Sequence, residues 1–152
     1  MDKKILIVLS NVANQGKTQS VIKFANLLLN SDTTPIHYDD NAGNNFKYPV
    51  DKEFGIVVDI NGKIVGIHSA GDYKKEISKE FDIFKKENCE IIICTSRYEG
   101  ETVDAIEKFA DDNDFEIIWT YTNTSYNDAM HEKLNECTAQ NLLSIFNSIV
   151  KL

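Results

Sequence analysis

The sequence predicts an α/β fold: three layers, α/β/α, with a mainly parallel sheet that carries one antiparallel hairpin strand. Three observations lead there. Short apolar runs alternate with stretches of helical period along the whole chain. The run Ile91-Ile92-Ile93-Cys94 is apolar without a break, the type that a parallel sheet buries on both faces. Asn61-Gly62 stands between two strand-like runs, and that pair is a preferred two-residue hairpin turn.

The 152 residues are expected to form a single domain, 1–152, long enough for a full core. No internal repeat, linker or low-complexity tail divides them. The formal charge of -8, from 16 Lys plus Arg against 24 Asp plus Glu, leaves no broad basic face. Direct nucleic-acid or membrane-surface binding is therefore not expected, while a compact phosphate ligand or a protein partner is compatible with it. No secretory signal or membrane span is legible, and the three cysteines have neither metal spacing nor an even count. A cytoplasmic location is the expectation. Cys94 and Cys137 read as small core residues.

In chain order, Ile5 to Leu9 form a first strand of the buried type. Residues 17–30 follow as a helix with Val21, Ile22, Ala25, Leu28 and Leu29 on one face, and Lys23 and Asn26 outside. Ile36-His37-Tyr38 is a short strand leading into Asp39, Asp40 and a turn-rich stretch to Asn45. The hairpin covers residues 54–68. A helix over 73–88 turns Ile77, Phe81 and Phe84 inward, and a buried strand occupies 90–95. A helix with Val103, Ile106, Phe109 and Ala110 inward comes next, then a strand over 116–121. The chain ends in a long helix with Met130, Leu134, Cys137, Leu142, Ile145, Phe146 and Ile149 at helical spacing. In such a sheet, ligands bind beyond the carboxyl ends of the strands. The loops at 10–17, 39–45, 68–73 and 95–100 should gather there, with 121–127 at the edge.

The chemistry concentrates where the first strand meets the first helix. Asn11 is followed, after four residues, by Gly16-Lys17-Thr18 and then Gln19. Backbone N–H groups and a helix N-terminus converge on one point in such a turn and suit a phosphate. Gly16 lets the backbone come close, Lys17 brings a charge to the outer phosphates, and Thr18 places a hydroxyl where a magnesium ion would sit. Asn14 and Gln15 add amides and side-chain donors. The full pattern asks for glycine where this chain has Asn11, a residue that tolerates left-handed backbone.

This strand–loop–helix resembles the P-loop NTPases, over nearly the whole chain but with Gly16-Lys17-Thr18 as the only specific motif. Within that superfamily, the hairpin running into Ser69-Ala70-Gly71-Asp72 looks most like the small GTPases. The resemblance puts their magnesium-holding aspartate at His68 and their water-orienting glutamine at Asp72. Histidine is no substitute for a hard carboxylate. The guanine-selecting motif is absent as well, since the last strand ends Thr120-Tyr121-Thr122-Asn123-Thr124. A GTPase is therefore not the reading. A small kinase or a slow NTPase using ATP or another NTP with Mg²⁺ is.

On that reading the catalytic residues are Lys17, Asp72 and Arg97. Asn11, Asn14, Gln15, Gly16, Lys17, Thr18 and Gln19 bind the nucleotide, and Thr18 and Asp72 hold the metal. Arg97, the one arginine of the chain, follows a buried strand at the ligand edge, where its fork suits phosphate oxygens. Asp72 doubles as a plain helix N-cap, and Thr18 as an ordinary first-turn threonine. Asp39 and Asp40 read as solvated loop acids with some capacity for an acceptor hydroxyl or a metal. His68 reads as a strand-end histidine rather than a base; His37 and His131 carry no assignment. The competing class is a nucleotide-binding or interaction module that has lost turnover, for which Asn11 and His68 speak.

Overall fold

The computed structural model describes residues 3–11 and 16–151. Ten regular elements alternate as expected: β1 (Lys4–Ser10), α1 (Lys17–Leu28), β2 (His37–Asp39), β3 (Gly55–Ile60), β4 (Lys63–His68), α2 (Lys74–Lys86), β5 (Ile91–Ser96), α3 (Glu101–Asn113), β6 (Phe115–Tyr121) and α4 (His131–Val150). A 3-10 turn, Asp128–Met130, precedes α4.

The six strands lie in the order β2-β3-β4-β5-β1-β6. β1 pairs in parallel with both β5 and β6, and β4 with β5. β3 runs antiparallel to both of its neighbours, so it is the one reversed strand. The sequence reading of a mainly parallel sheet with one hairpin reversal holds. Asn61 and Gly62 both take positive φ, 53° and 87°, as the tight hairpin turn requires.

Chain chemistry explains the order of burial. β1 and β5 occupy interior positions of the sheet, and their apolar runs are buried from Leu6 to Leu9 and from Ile91 to Cys94. β2, an edge strand, has only three residues, which limits the unpaired backbone it exposes. α1 and α4 pack on one face, where Phe24, Ala25, Leu142 and Phe146 meet Ile7, Leu9, Ile67 and Ile93. α2 and α3 cover the other, where Ile77, Phe81, Phe84 and Ile106 meet Leu6, Val8, Ile92 and Cys94. That is two helices per face of a six-stranded mixed sheet.

Two expectations, one about α4 and one about α1, are corrected. Cys137 and Met130 are exposed, because the inward row of α4 runs through Thr138, Ala139, Leu142 and Phe146. Asn26 does not merely face water. Its side chain donates to the Val50 carbonyl at 2.8 Å and accepts from the Val50 N–H at 2.8 Å, while Tyr48 donates to the Asn26 carbonyl at 3.1 Å. The long connection between β2 and β3 is thereby clamped onto α1. Among the described residues, no helix is long and apolar enough to cross a membrane.

Candidate functional site

The strand order places the ends of β1, β4, β5 and β6 side by side at one edge of the sheet. Hydrogen bonds tie their loops together there. Thr18, in the first turn of α1, donates through Oγ1 to the Ser69 carbonyl at 3.0 Å, and Thr95 Oγ1 donates to the same oxygen at 3.3 Å. The Asn11 N–H donates to the Ser96 carbonyl at 3.3 Å, and Asn11 Nδ2 to Thr122 Oγ1 at 2.7 Å. Ser10 and Ser96 both donate to the Arg97 carbonyl, at 3.2 and 2.7 Å. Gly71 lies flat against β5: a Cβ there would collide with the Thr95 carbonyl. Only glycine lets the loop bearing Asp72 come this close.

Lys17 is the centre of the arrangement. Its side chain is 4% exposed, and Nζ donates to the Asn11 carbonyl at 2.7 Å while standing 3.0 Å from Asp72 Oδ1. A buried ammonium without such partners would cost several kcal/mol. Arg97 Nε lies 4.0 Å from the same Asp72 oxygen, and its guanidinium sits 5.7 Å from the centre of the Tyr73 ring. One carboxylate thus stands between two cations that come from different elements. Gly16 adopts left-handed backbone, φ 78°, immediately before α1. A side chain at Gly16 would meet Asn135 of α4 as well as strain the backbone.

These residues border a cleft of about 630 Å³ lined by Gly16, Lys17, Thr18, Gln19 and Asp72 on one side. His131 and Asn135 of α4 close it on another side, and residues 51–53 on a third. Sequence reasoning missed those last two walls. Nothing local marks them, because they reach the cleft only through the packing of α4 on α1 and the Asn26 clamp. Of the expected site residues, Gly16, Lys17, Thr18, Gln19 and Asp72 come together around one space. Asn11 and Arg97 adjoin it through Lys17 and Asp72 without lining it. Asn14 and Gln15 lie outside the described residues.

His68 is not part of this cleft. It is 5% exposed, Nδ1 finds no hydrogen-bond partner, and burial lowers its pKa to about 4, so the ring is neutral near pH 7. It faces a small void shared with Asp39, Lys79 and Glu80. Glu80 is also buried, which raises its pKa to about 7. The acids at the end of β2 and just beyond it differ from expectation too. Asp39 pairs with Lys79 at 2.9 Å, and Asp40 is buried rather than solvated.

The donor set suits a hard cation. The Thr18 hydroxyl gives its proton to Ser69 and keeps lone pairs available, and Asp72 is a carboxylate on the same cleft. Among the described residues no group of three or more His, Cys, Asp or Glu could hold a metal by itself. Set against protein-family models, curated proteins and solved structures, the chain matches none of them.

Proposed function

We propose that this protein is a P-loop-type nucleotide-binding protein that uses ATP or another NTP with Mg²⁺, as a phosphotransferase on a small acceptor or as a slow NTPase. The observation that carries it is Lys17: a nearly buried ammonium in the first turn of α1, next to a left-handed Gly16 and beside an open cleft. An incoming polyphosphate would compete with Asp72 for that charge, while the N-terminus of α1 adds its positive end. Lys17 and Arg97 would stabilise charge on the transferring group, and Asp72 would take the acceptor's proton or orient a water. Thr18 and Asp72 would hold the magnesium ion, which neutralises phosphate charge when bound. The cytoplasm is the compartment we assign to this chemistry.

Release of ADP from ATP with magnesium tests this reading directly. Turnover that disappears in Lys17→Ala, together with a nucleotide-dependent rise in Tm lost in the same variant, is the expected result. No response of the wild type to any nucleotide would end it. A second reading keeps binding and drops turnover: it is favoured by His68, which stands where the resemblance asks for a carboxylate and is buried away from the cleft. Thermal stabilisation by nucleotide with no ADP released is its signature.

A further inference from the structure

The two edges of the sheet are built differently. β2 closes one edge with three residues, whereas β6 closes the other with seven, in an unbroken one-to-one register with β1. Natural sheets guard a free edge by keeping it short, bending it with a bulge, or placing proline or lysine on it. β6 carries none of these guards. It holds six strand-favouring residues and a single charge, Glu116, which Lys3 already engages at 2.9 Å. Among the described residues, no strand pairs with its outer side.

The strand is also incompletely covered on both faces. β1 and β5 bury their apolar runs, but Ile117, Ile118 and Trp119 are only partly buried. Phe115, Ile117 and Trp119 lean on the layer of α2 and α3. Ile118 and Thr120 alternate to the opposite face, where Asn141 Nδ2 of α4 donates to Thr120 Oγ1 at 3.4 Å. An apolar strip along an open backbone edge is a template for another strand.

We propose that β6 is a self-association edge, on which the β6 of a second copy of this chain pairs antiparallel about a two-fold axis at Ile118, joining two six-stranded sheets into one. A second copy is the occupant because the strand matches itself. Two identical seven-residue strands overlap in full only when the axis passes through the middle residue, which is Ile118. Phe115 then faces Tyr121, Ile117 faces Trp119, and Glu116 faces Thr120. The aromatic and β-branched pairs are of the kind that stabilises a sheet. The two Glu116 positions end about 14 Å apart along the strands, at about 3.4 Å per residue, so the strand's one charge does not meet its copy at close range. Sliding the axis two residues toward Phe115 would set the two Glu116 side chains directly opposite and unpair most of the strand. The formal charge of -8 on each chain opposes association at long range, where physiological salt screens it. None of the β6 residues lines the Lys17 cleft, so self-association is independent of the nucleotide reading.

Sedimentation equilibrium of the full chain at physiological salt, from micromolar to sub-millimolar concentration, tests this. The wild type is expected to dimerise in that range. Thr120→Glu puts a carboxylate opposite Glu116 of the second copy, and the two-fold axis repeats the contact, so the dimer should weaken about tenfold. Thr120→Lys puts an ammonium there and should hold the dimer at least as tightly as the wild type. Ser78→Glu adds the same charge at an exposed position of α2 and should change nothing. Hydrogen exchange of the β6 amides gives a reading without any substitution: it should slow in the wild type as concentration rises. A chain that stays monomeric throughout, a dimer that Thr120→Glu and Thr120→Lys affect alike, or β6 amides whose exchange ignores concentration would overturn the proposal.

Discussion

Asp72 is shared by two cations and therefore holds the balance of the site. It stands 3.0 Å from Lys17 Nζ and 4.0 Å from Arg97 Nε, and it lines the cleft while 37% exposed. With no nucleotide present, its negative charge offsets theirs. Asp72→Asn keeps the shape and removes that charge, so two effects of opposite sign are expected. ATP without magnesium should bind several-fold more tightly, because phosphate no longer competes with a carboxylate for Lys17. Turnover with magnesium should fall by about 100-fold, the usual scale for losing one group that acts on the reacting charge. Calorimetry in EDTA and steady-state ADP release check the two separately. Unchanged turnover would remove Asp72 from the chemistry and leave it a structural counter-ion.

At the scale of elements, the strands and helices were legible and their walls were not. Apolar period and the Asn61-Gly62 pair are local signals, and each element they marked is present within a few residues. The strand order was not legible. That β5 separates β1 from β4 depends on which crossover each helix makes, and no single segment encodes it. The site was legible in the same uneven way. Gly16, Lys17 and Thr18 follow from a contiguous motif, and Asp72 from a turn after a hairpin. Asn135, His131 and residues 51–53 enter from distant parts of the chain, through α4 packing on α1 and through the loop clamp. That clamp is itself testable. Asn26→Ala removes both side-chain bonds to Val50, which is 4% exposed, and leaves its N–H and carbonyl without those partners. A loss of roughly 2 kcal/mol is expected in urea unfolding. Faster proteolysis between β2 and β3 should accompany it, because the loop that walls the Lys17 cleft through residues 51–53 is no longer tied down. Wild-type stability and proteolysis rates would show that the loop is held by its aromatic residues alone.

The pH dependence of the whole molecule's stability should carry two opposed contributions, set by two buried groups that border a void apart from the Lys17 cleft. The Glu80 carboxyl packs against Gly55, and His68 follows Ile67 at the end of β4; both have a polar atom without a hydrogen-bond partner. Burial raises Glu80 from 4.5 to about 7, with the nearby Asp39 charge adding to it and Lys79 opposing it. Burial lowers His68 from 6.5 to about 4, with Asp39 opposing that shift and Lys79 adding to it. The signs differ. For Glu80 the folded state holds its proton more tightly, so this contribution is full below pH 4.5 and is lost as pH rises through 7. For His68 the unfolded state holds the proton more tightly, so its contribution is full above 6.5 and is lost as pH falls through 4. Each amounts to roughly 3 kcal/mol at 1.36 kcal/mol per pKa unit. Between pH 4.5 and 6.5 the two slopes cancel, and this pair leaves wild-type stability nearly flat. Single substitutions should uncover them. Glu80→Gln keeps only the histidine limb and should gain stability as pH rises from 4 to 6.5. His68→Gln keeps only the glutamate limb and should lose stability as pH rises from 4.5 to 7. Urea titrations at pH intervals, followed through the single tryptophan, Trp119, read both. Parallel profiles for wild type and the two variants would mean that neither group changes its proton affinity on folding, whereas opposite slopes in the singles and a flat double variant would establish the two buried groups as a compensating pair.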